Sequence, residues 1–341
     1  MRDLARLPKA HLHLHFTGSM RVATLADFAD TAGVRLPAAL LDGDPLRLPA
    51  DERGWFRFQR LYDASRALVR SEPAMRRIVA EAAADDAVEG SGRLEIQVDP
   101  TSYAPYVGGI TPALEIVLDA ALEASAATGV EVAVVVASSR IRHPFEARTL
   151  ARLAARYAGE SPGAVVGFGL SNDERRGETA EFAPAFSIAR SAGLASVPHG
   201  GELLGADHVE DILGHLAPDR LGHGVRSAED PRVLDRIVAA GIALEVCPAS
   251  NISLGVYATA AHVPLRALVD AGATIALGAD DPLLFGSRLV AQYEVARDMH
   301  GFSDPELAEL ARGSIRASRA SRLTKTRLLT GVDAWLAADP A

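Results

Sequence analysis

Short runs of β-branched and other apolar residues recur along the chain, each followed by a longer stretch whose apolar positions return every three or four residues. The first pattern suits a strand buried on both faces and the second a helix laid against it. The strand candidates are Lys9–Leu14, Leu94–Asp99, Glu131–Ala137, Ala164–Leu170, Leu194–His199, Arg220–Gly222, Ile242–Val246 and Thr274–Gly278. Between them, Pro112–Ala126, Pro144–Ala158, Glu178–Ser191, Pro231–Ala239 and Leu265–Ala271 read as helices. Several helical stretches run into glycine, at Gly129, Gly193, Gly241 and Gly272, where a left-handed residue closes the last turn. Eight such units predict an α/β chain wound as a (β/α)8 TIM barrel rather than an open doubly wound sheet.

The first unit is irregular, because about 80 residues separate Leu14 from Leu94. That span holds the proline-rich stretch Leu36–Asp51 and the aromatic run Trp55, Phe56, Phe58 and Tyr62. It reads as a helical lid inserted after the first strand, at about residues 20–90. After the eighth strand, Leu289–Asp298 and Pro305–Leu323 read as terminal helices. No internal repeat or low-complexity segment interrupts the pattern, so residues 1–341 are expected to form one barrel domain.

Composition narrows the function. With 341 residues, 48% apolar and 23% charged, the chain has ample material for a packed core, which excludes global disorder. A net charge of −9 argues against a nucleic-acid partner and leaves a small neutral or cationic ligand. The single cysteine, Cys247, forms no internal disulfide and no cysteine-based zinc cage. No stretch approaches the ~20 uninterrupted apolar residues of a membrane span, and the first ten residues lack a secretory core. The expected location is the cytoplasm. Lysine occurs only at Lys9 and Lys325.

Candidate chemistry gathers at the ends of four predicted strands. Residues two apart in a strand point to the same side, so His11 and His13 aim into the barrel, and His15 continues the alternation. Spacing leaves open which two of the three would bind a metal. The fifth strand ends in His199-Gly-Gly-Glu202, the sixth in Gly222-His223-Gly224, and the eighth in Asp280-Asp281-Pro282. All lie at C-terminal strand ends, where barrel active sites are built. Imidazoles with one carboxylate make a site for a borderline metal, and zinc, iron and manganese share such ligands.

These segments, taken together, resemble the adenosine deaminase family of the amidohydrolase superfamily across nearly the whole chain. Lys9-Ala-His-Leu-His-Leu resembles its opening metal motif, His199-Gly-Gly-Glu202 its His-Ala-Gly-Glu, and Leu221-Gly-His-Gly224 its Gly-His-Gly. Glu245-Val-Cys-Pro-Ala-Ser-Asn251, the paired Asp280-Asp281 and Ser314-Ile-Arg-Ala-Ser318 resemble further family motifs. The resemblance implies one zinc ion per chain, held by His11, His13, His199 and Asp280. It implies that His223 orients and deprotonates water, that Glu202 donates a proton to purine N1, and that Asp281 hydrogen-bonds N7. Glu245, Ser250 and Asn251 would support the metal site. The implied activity is hydrolytic deamination of a 6-aminopurine nucleoside, with release of ammonia.

Two departures bear on the substrate. The family's acid after the second metal His-Leu, which resembles a hydrogen bond to the ribose 5′-hydroxyl, is replaced by His15-Phe16-Thr17, in a loop that reads two residues longer. Asn172 stands where the family has a glycine whose backbone N–H faces purine N3. An imidazole, a phenyl ring and a hydroxyl at the 5′ end suit a larger substituent, with Arg21 available for a carboxylate. The expected substrate is therefore a 5′-extended adenosine analogue, as in the aminodeoxyfutalosine deaminases of menaquinone biosynthesis, with S-adenosylhomocysteine and methylthioadenosine as competitors of the same shape. The alternatives are adenosine or deoxyadenosine in purine salvage and, more remotely, a nucleoside-binding barrel without turnover. A cytidine-type deaminase is excluded by the cysteine count. A carbamylated-lysine binuclear site is excluded because no lysine lies between Lys9 and Lys325. A homodimer remains open for a 35.9 kDa barrel.

Overall fold

The computed structural model describes residues 1–339. Eight parallel strands follow one another around a single sheet: β1 (Lys9–His15), β2 (Ser91–Val98), β3 (Glu131–Ser139), β4 (Val165–Ser171), β5 (Ala195–Gly200), β6 (Arg220–His223), β7 (Ala243–Val246) and β8 (Thr274–Leu277). Just beyond β8, Asp280 bridges to Leu14 and closes the ring at its C-terminal mouth. The fold is the expected (β/α)8 barrel.

Two layers of apolar packing hold it. Outside the strands, Val132, Val134 and Val136 of β3 meet Leu114, Val117 and Ala121 of the helix Ile110–Thr128, all fully buried. Each buried valine or leucine contributes ~1.5–3 kcal/mol, so the outer layer dominates stability. Inside, Ala133, Val135, Val166, Ala195 and Val197 form a small apolar plug under β3, β4 and β5. The other half of the interior is ionic. Arg220 reaches Glu245 at 2.6 Å and Glu95 at 2.7 Å, and Arg93 lies 3.2 Å from Glu95.

The structure revises two expected elements. The stretch Pro305–Leu323 is not one helix: Asp304–Ala317 ends where Ser318 turns extended, and Arg322–Ala337 starts after Ser321, whose side chain accepts from the Thr324 N–H. The segment between β1 and β2 holds α1 (Val22–Ala32), α2 (Glu52–Arg66) and α3 (Glu72–Val88). α3 buries Met75, Ile78, Val79 and Ala82 and packs on β2 and on Ile110–Thr128, as an ordinary outer helix of the barrel does. α2 instead lies over the mouth, where Phe58 stacks on Phe285 with ring centroids 5.6 Å apart. Among the described residues no helix is long and apolar enough to cross a membrane.

Candidate active site

β1 does not keep the simple alternation. Ala10 pairs with Arg93 and His15 with Gln97, so five steps along β1 match four along β2. The extra residue falls between His11 and Leu14 and reverses the facing of side chains across it. His11 therefore turns toward α3, where its Nδ1 lies 2.9 Å from Asp86 Oδ1 and its Nε2 accepts the Ala279 N–H at 3.1 Å. Both ring nitrogens are occupied. The expected inward pair of His11 and His13 is corrected to His13 and His15.

Those two imidazoles meet residues from β5, β6 and the end of β8. His15 Nε2 lies 3.2 Å from His199 Nε2 and 3.2 Å from Asp280 Oδ1, and His13 Nε2 lies 3.7 Å from Asp280 Oδ1. His223 Nε2 stands 3.6 Å from Glu202 and 3.9 Å from Asp280 Oδ2. His13 Nε2 and both ring nitrogens of His223 are buried without a hydrogen-bond partner, and they face a carboxylate cluster that a cation would complete. Backbone strain gathers at the same place. Of the four non-glycine residues with positive φ among those described, Asn172 (81°), His223 (64°) and Asp280 (62°) lie at the ends of β4, β6 and β8. Such conformations cost ~1–3 kcal/mol each and persist where the surroundings enforce them.

A supporting ring fixes these groups. Glu245 Oε2 accepts from His13 Nδ1 at 2.8 Å, leaving Nε2 free to face the cluster. Glu174 takes the backbone N–H groups of Glu202, Leu203 and Leu204 at 3.1, 2.8 and 2.7 Å, which pins the loop that carries Glu202. Arg140 donates to the His199 carbonyl at 3.1 Å. Gly18 admits Asp281, since a Cβ at that position would come within 1.7 Å of its carboxylate.

Electrostatics divide the three carboxyl groups. Burial alone would raise Asp280, but the facing imidazoles of His13 and His15 hold it well below the usual carboxylate range, so it is ionised. Burial, reinforced by the Asp280 charge, pushes Glu202 and Asp281 well above that range, which favours the protonated carboxyl at both. Burial also pushes His199 down, with the neighbouring His13 adding to it, and lowers His223 to about 3, leaving both imidazoles neutral. Burial opposes charging His13 too, yet Asp280 and Glu245 outweigh it and raise it to about 10. A positive charge is thus favoured at the point where His13 faces Asp280.

The cluster forms the floor of a cleft enclosing about 750 Å³, counting the solvent at its mouth. Of the residues read as substrate contacts, His15, Phe16, Asn172 and Asp281 line it. Thr17 does not: its buried hydroxyl is tied to the Tyr103 hydroxyl at 2.6 Å. Arg21 is also removed, held by Asp85 at 2.7 Å. Sequence reasoning missed Gln97, Asp99, Ser102, Tyr103 and Arg66 in the walls. Only their places at strand ends or beside the aromatic run could have signalled them. It also assigned no part to Asp86 or Glu174, although Glu174 lies in the same segment as Asn172.

A (β/α)8 barrel with imidazoles and three buried carboxyl groups at its mouth is built as a hydrolase, of the class that acts on C–N bonds in cyclic amidines. The chain belongs to the adenosine deaminase family, whose profile matches residues 8–335. A Streptomyces virginiae protein provisionally named an adenosine/adenine deaminase is 60% identical over 336 residues, 98% of each chain. The adenine deaminase of Agrobacterium fabrum is 33% identical over 332 residues, 95% of this chain and 98% of the other. The crystal structure of an adenine deaminase from Arthrobacter aurescens matches with a TM-score of 0.87 at 28% identity, covering 97% of this chain and 99% of that one.

Proposed function

We propose that the protein hydrolyses the C6–NH2 bond of a 6-aminopurine nucleoside, leaving oxygen at C6 and releasing ammonia. The observation that carries this reading is the convergence of buried Glu202, His223, Asp280 and Asp281 on one point of the cleft floor, where burial favours a protonated Glu202 and Asp281 beside an ionised Asp280. His13, His15, His199 and Asp280 fit a divalent cation, for which zinc is the natural choice given nitrogen and oxygen donors. The unpartnered His13 Nε2 and the facing Nε2 atoms of His15 and His199 support that fit. Cys247 reaches the same cluster, but burial pushes its thiol well above its ordinary value, which makes it a poor donor. When bound, such a cation supplies Lewis acidity that brings water toward a pKa of ~7.

The chain's own residues supply the remaining chemistry. Glu202 donates its proton to ring N1, which draws electron density from C6 and opens it to attack. His223 accepts a proton from water at Nε2. Asp281, protonated, donates to N7 and sets the ring in plane. Asn172, in the left-handed conformation that a glycine takes readily, shapes the wall along the other edge of the purine. The water oxygen bonds to C6, the proton held by His223 passes to the amino nitrogen, and the C6–N bond breaks, so one water is consumed and one ammonia leaves.

Within that class we infer a nucleoside extended beyond its 5′ carbon, of the aminodeoxyfutalosine or S-adenosylhomocysteine type. His15 no longer supports this, since it belongs to the cluster. With His15 as the second metal histidine, Thr17 takes the place of the family's acid, and its hydroxyl is engaged by Tyr103. Ser102, Asp99 and Arg66 line the same cleft as Phe16 and Tyr103, and Arg66, although it also touches Asp63, is the cation there that a charged tail would meet. The test is ammonia release from zinc-loaded protein offered adenine, adenosine, methylthioadenosine, S-adenosylhomocysteine and aminodeoxyfutalosine. The expected result is the highest kcat/KM for an ionic 5′-extended nucleoside, falling about tenfold in Arg66→Gln. Adenosine or adenine winning by about 100-fold overturns the extension. No ammonia from any of the five overturns the deaminase reading.

A further inference from the structure

We propose that Asp86 and His11 are a positioning pair that sets the geometry of Asp280 from the outer face of the barrel, and through it the affinity of the site for its cation. The proposal rests on the reading of Asp280 as a metal ligand. His11 is buried between β1 and α3, 1% exposed, and Asp86 is 4% exposed. Neither faces the cleft. The Ala279 N–H can only donate, so the ring proton of His11 sits on Nδ1, 2.9 Å from Asp86 Oδ1. Nε2 is then left as an acceptor, and the Ala279 N–H fills it at 3.1 Å. The other tautomer would set N–H against N–H. Asp86 accepts from Nδ1 and so favours this tautomer, and the tautomer holds the peptide next to Asp280.

That peptide needs holding. Asp280 has a φ of 62°, which a residue with a side chain rarely adopts. Two main-chain bonds to β1 hold its own amide and carbonyl: Asp280 N–H to the His13 carbonyl at 3.0 Å, and His15 N–H to the Asp280 carbonyl at 3.0 Å. The His11 contact fixes the preceding residue, so the carboxylate is anchored from both sides of β1. The outward turn of His11 in the irregular stretch of β1 makes this third anchor available. Partners of this sort behind a metal site typically change affinity 10- to 100-fold.

Zinc affinity of the metal-free full-length protein, measured by competition with a chromophoric chelator, tests the pair. His11→Leu and Asp86→Ala are expected to weaken zinc binding 10- to 100-fold. His11→Gln, which can offer its amide oxygen to the Ala279 N–H, is expected to restore binding to within about threefold of the parent. A merely structural pair would lower thermal stability while the folded fraction of His11→Leu bound zinc as tightly as the parent, and that result overturns the proposal. Failure of the parent itself to bind zinc would instead overturn the metal reading beneath it. Should the variants not fold, the nitrogen-15 shifts of His11 in the parent decide. A protonated Nδ1 with a bare Nε2 is expected, and a protonated Nε2 overturns the pair.

Discussion

The interior of the barrel holds two sets of buried charged and polar groups that obey opposite rules. At its base, Arg93, Glu95, Arg220 and Glu245 are each completely buried or nearly so, and every guanidinium faces a carboxylate at 2.6–3.2 Å. Two cations balance two anions. At the mouth, Glu202, Asp280 and Asp281 are gathered among imidazoles with no guanidinium or ammonium paired to them among the described residues, and three backbones are strained. Glu245 joins the two sets, with one oxygen on Arg220 and the other on His13. The difference separates groups kept for folding from groups kept for chemistry. Folding sets a buried charge against one of opposite sign, as at the base, so acids gathered without fixed cations on strained backbone mark the reactive site.

Substitutions at the two ends should therefore fail differently. The largest expected loss is in Asp280→Ala, where removing the one ionised carboxylate lowers zinc affinity by at least about 100-fold, measured as zinc per chain after dialysis. Glu202→Gln should keep zinc and lose about 10²- to 10⁴-fold in kcat, the usual contribution of a general acid. Arg93→Met leaves Glu95 and Glu245 to share the single guanidinium of Arg220 and should cost ~3–5 kcal/mol in denaturant unfolding, with turnover per folded molecule within about twofold of the parent. Asp281→Ala should reverse that profile: an unchanged or higher unfolding midpoint, and a kcat/KM lower by about 10- to 100-fold. If Arg93→Met lost turnover without losing stability, the division between base and mouth would collapse.

The smallest effect is a matter of pH. A donor whose pKa is raised is protonated below that value and ionised above it, so kcat/KM should fall on the alkaline side as Glu202 loses its proton. His223, lowered to about 3, stays neutral from weakly acidic to neutral solution. The profile should be level there, without the acid limb near ~6.5 that an ordinary histidine gives. A limb at that position would show that burial does not keep His223 neutral.

Much of this was legible in the order of residues, and what was not has a physical cause. The eight strands carry their own punctuation of apolar runs and closing glycines, and His199, Glu202, His223, Asp280 and Asp281 stand at strand ends, so topology alone brings them together. His11 was misplaced because the side a strand residue faces depends on the neighbouring strand: the one-residue slip of β1 against β2 leaves no mark in β1 itself. The same slip misassigned His15 to the 5′ end. Arg21 was free on paper and is paired with Asp85 in the fold, a contact across 64 positions that no local pattern announces. Asp86 sits in an alanine-rich helical run where an acid normally means a solvated face. The break at Ser318–Ser321 was hidden because a serine cap also fits inside an exposed helix turn.

The most direct test of the account is a crystal structure of the zinc-loaded protein with anomalous data at the zinc edge. One ion held by His13, His15, His199 and Asp280, with His11 turned away against Asp86, is the predicted result. An ion held by His11, or none at the mouth of the barrel, would contradict it.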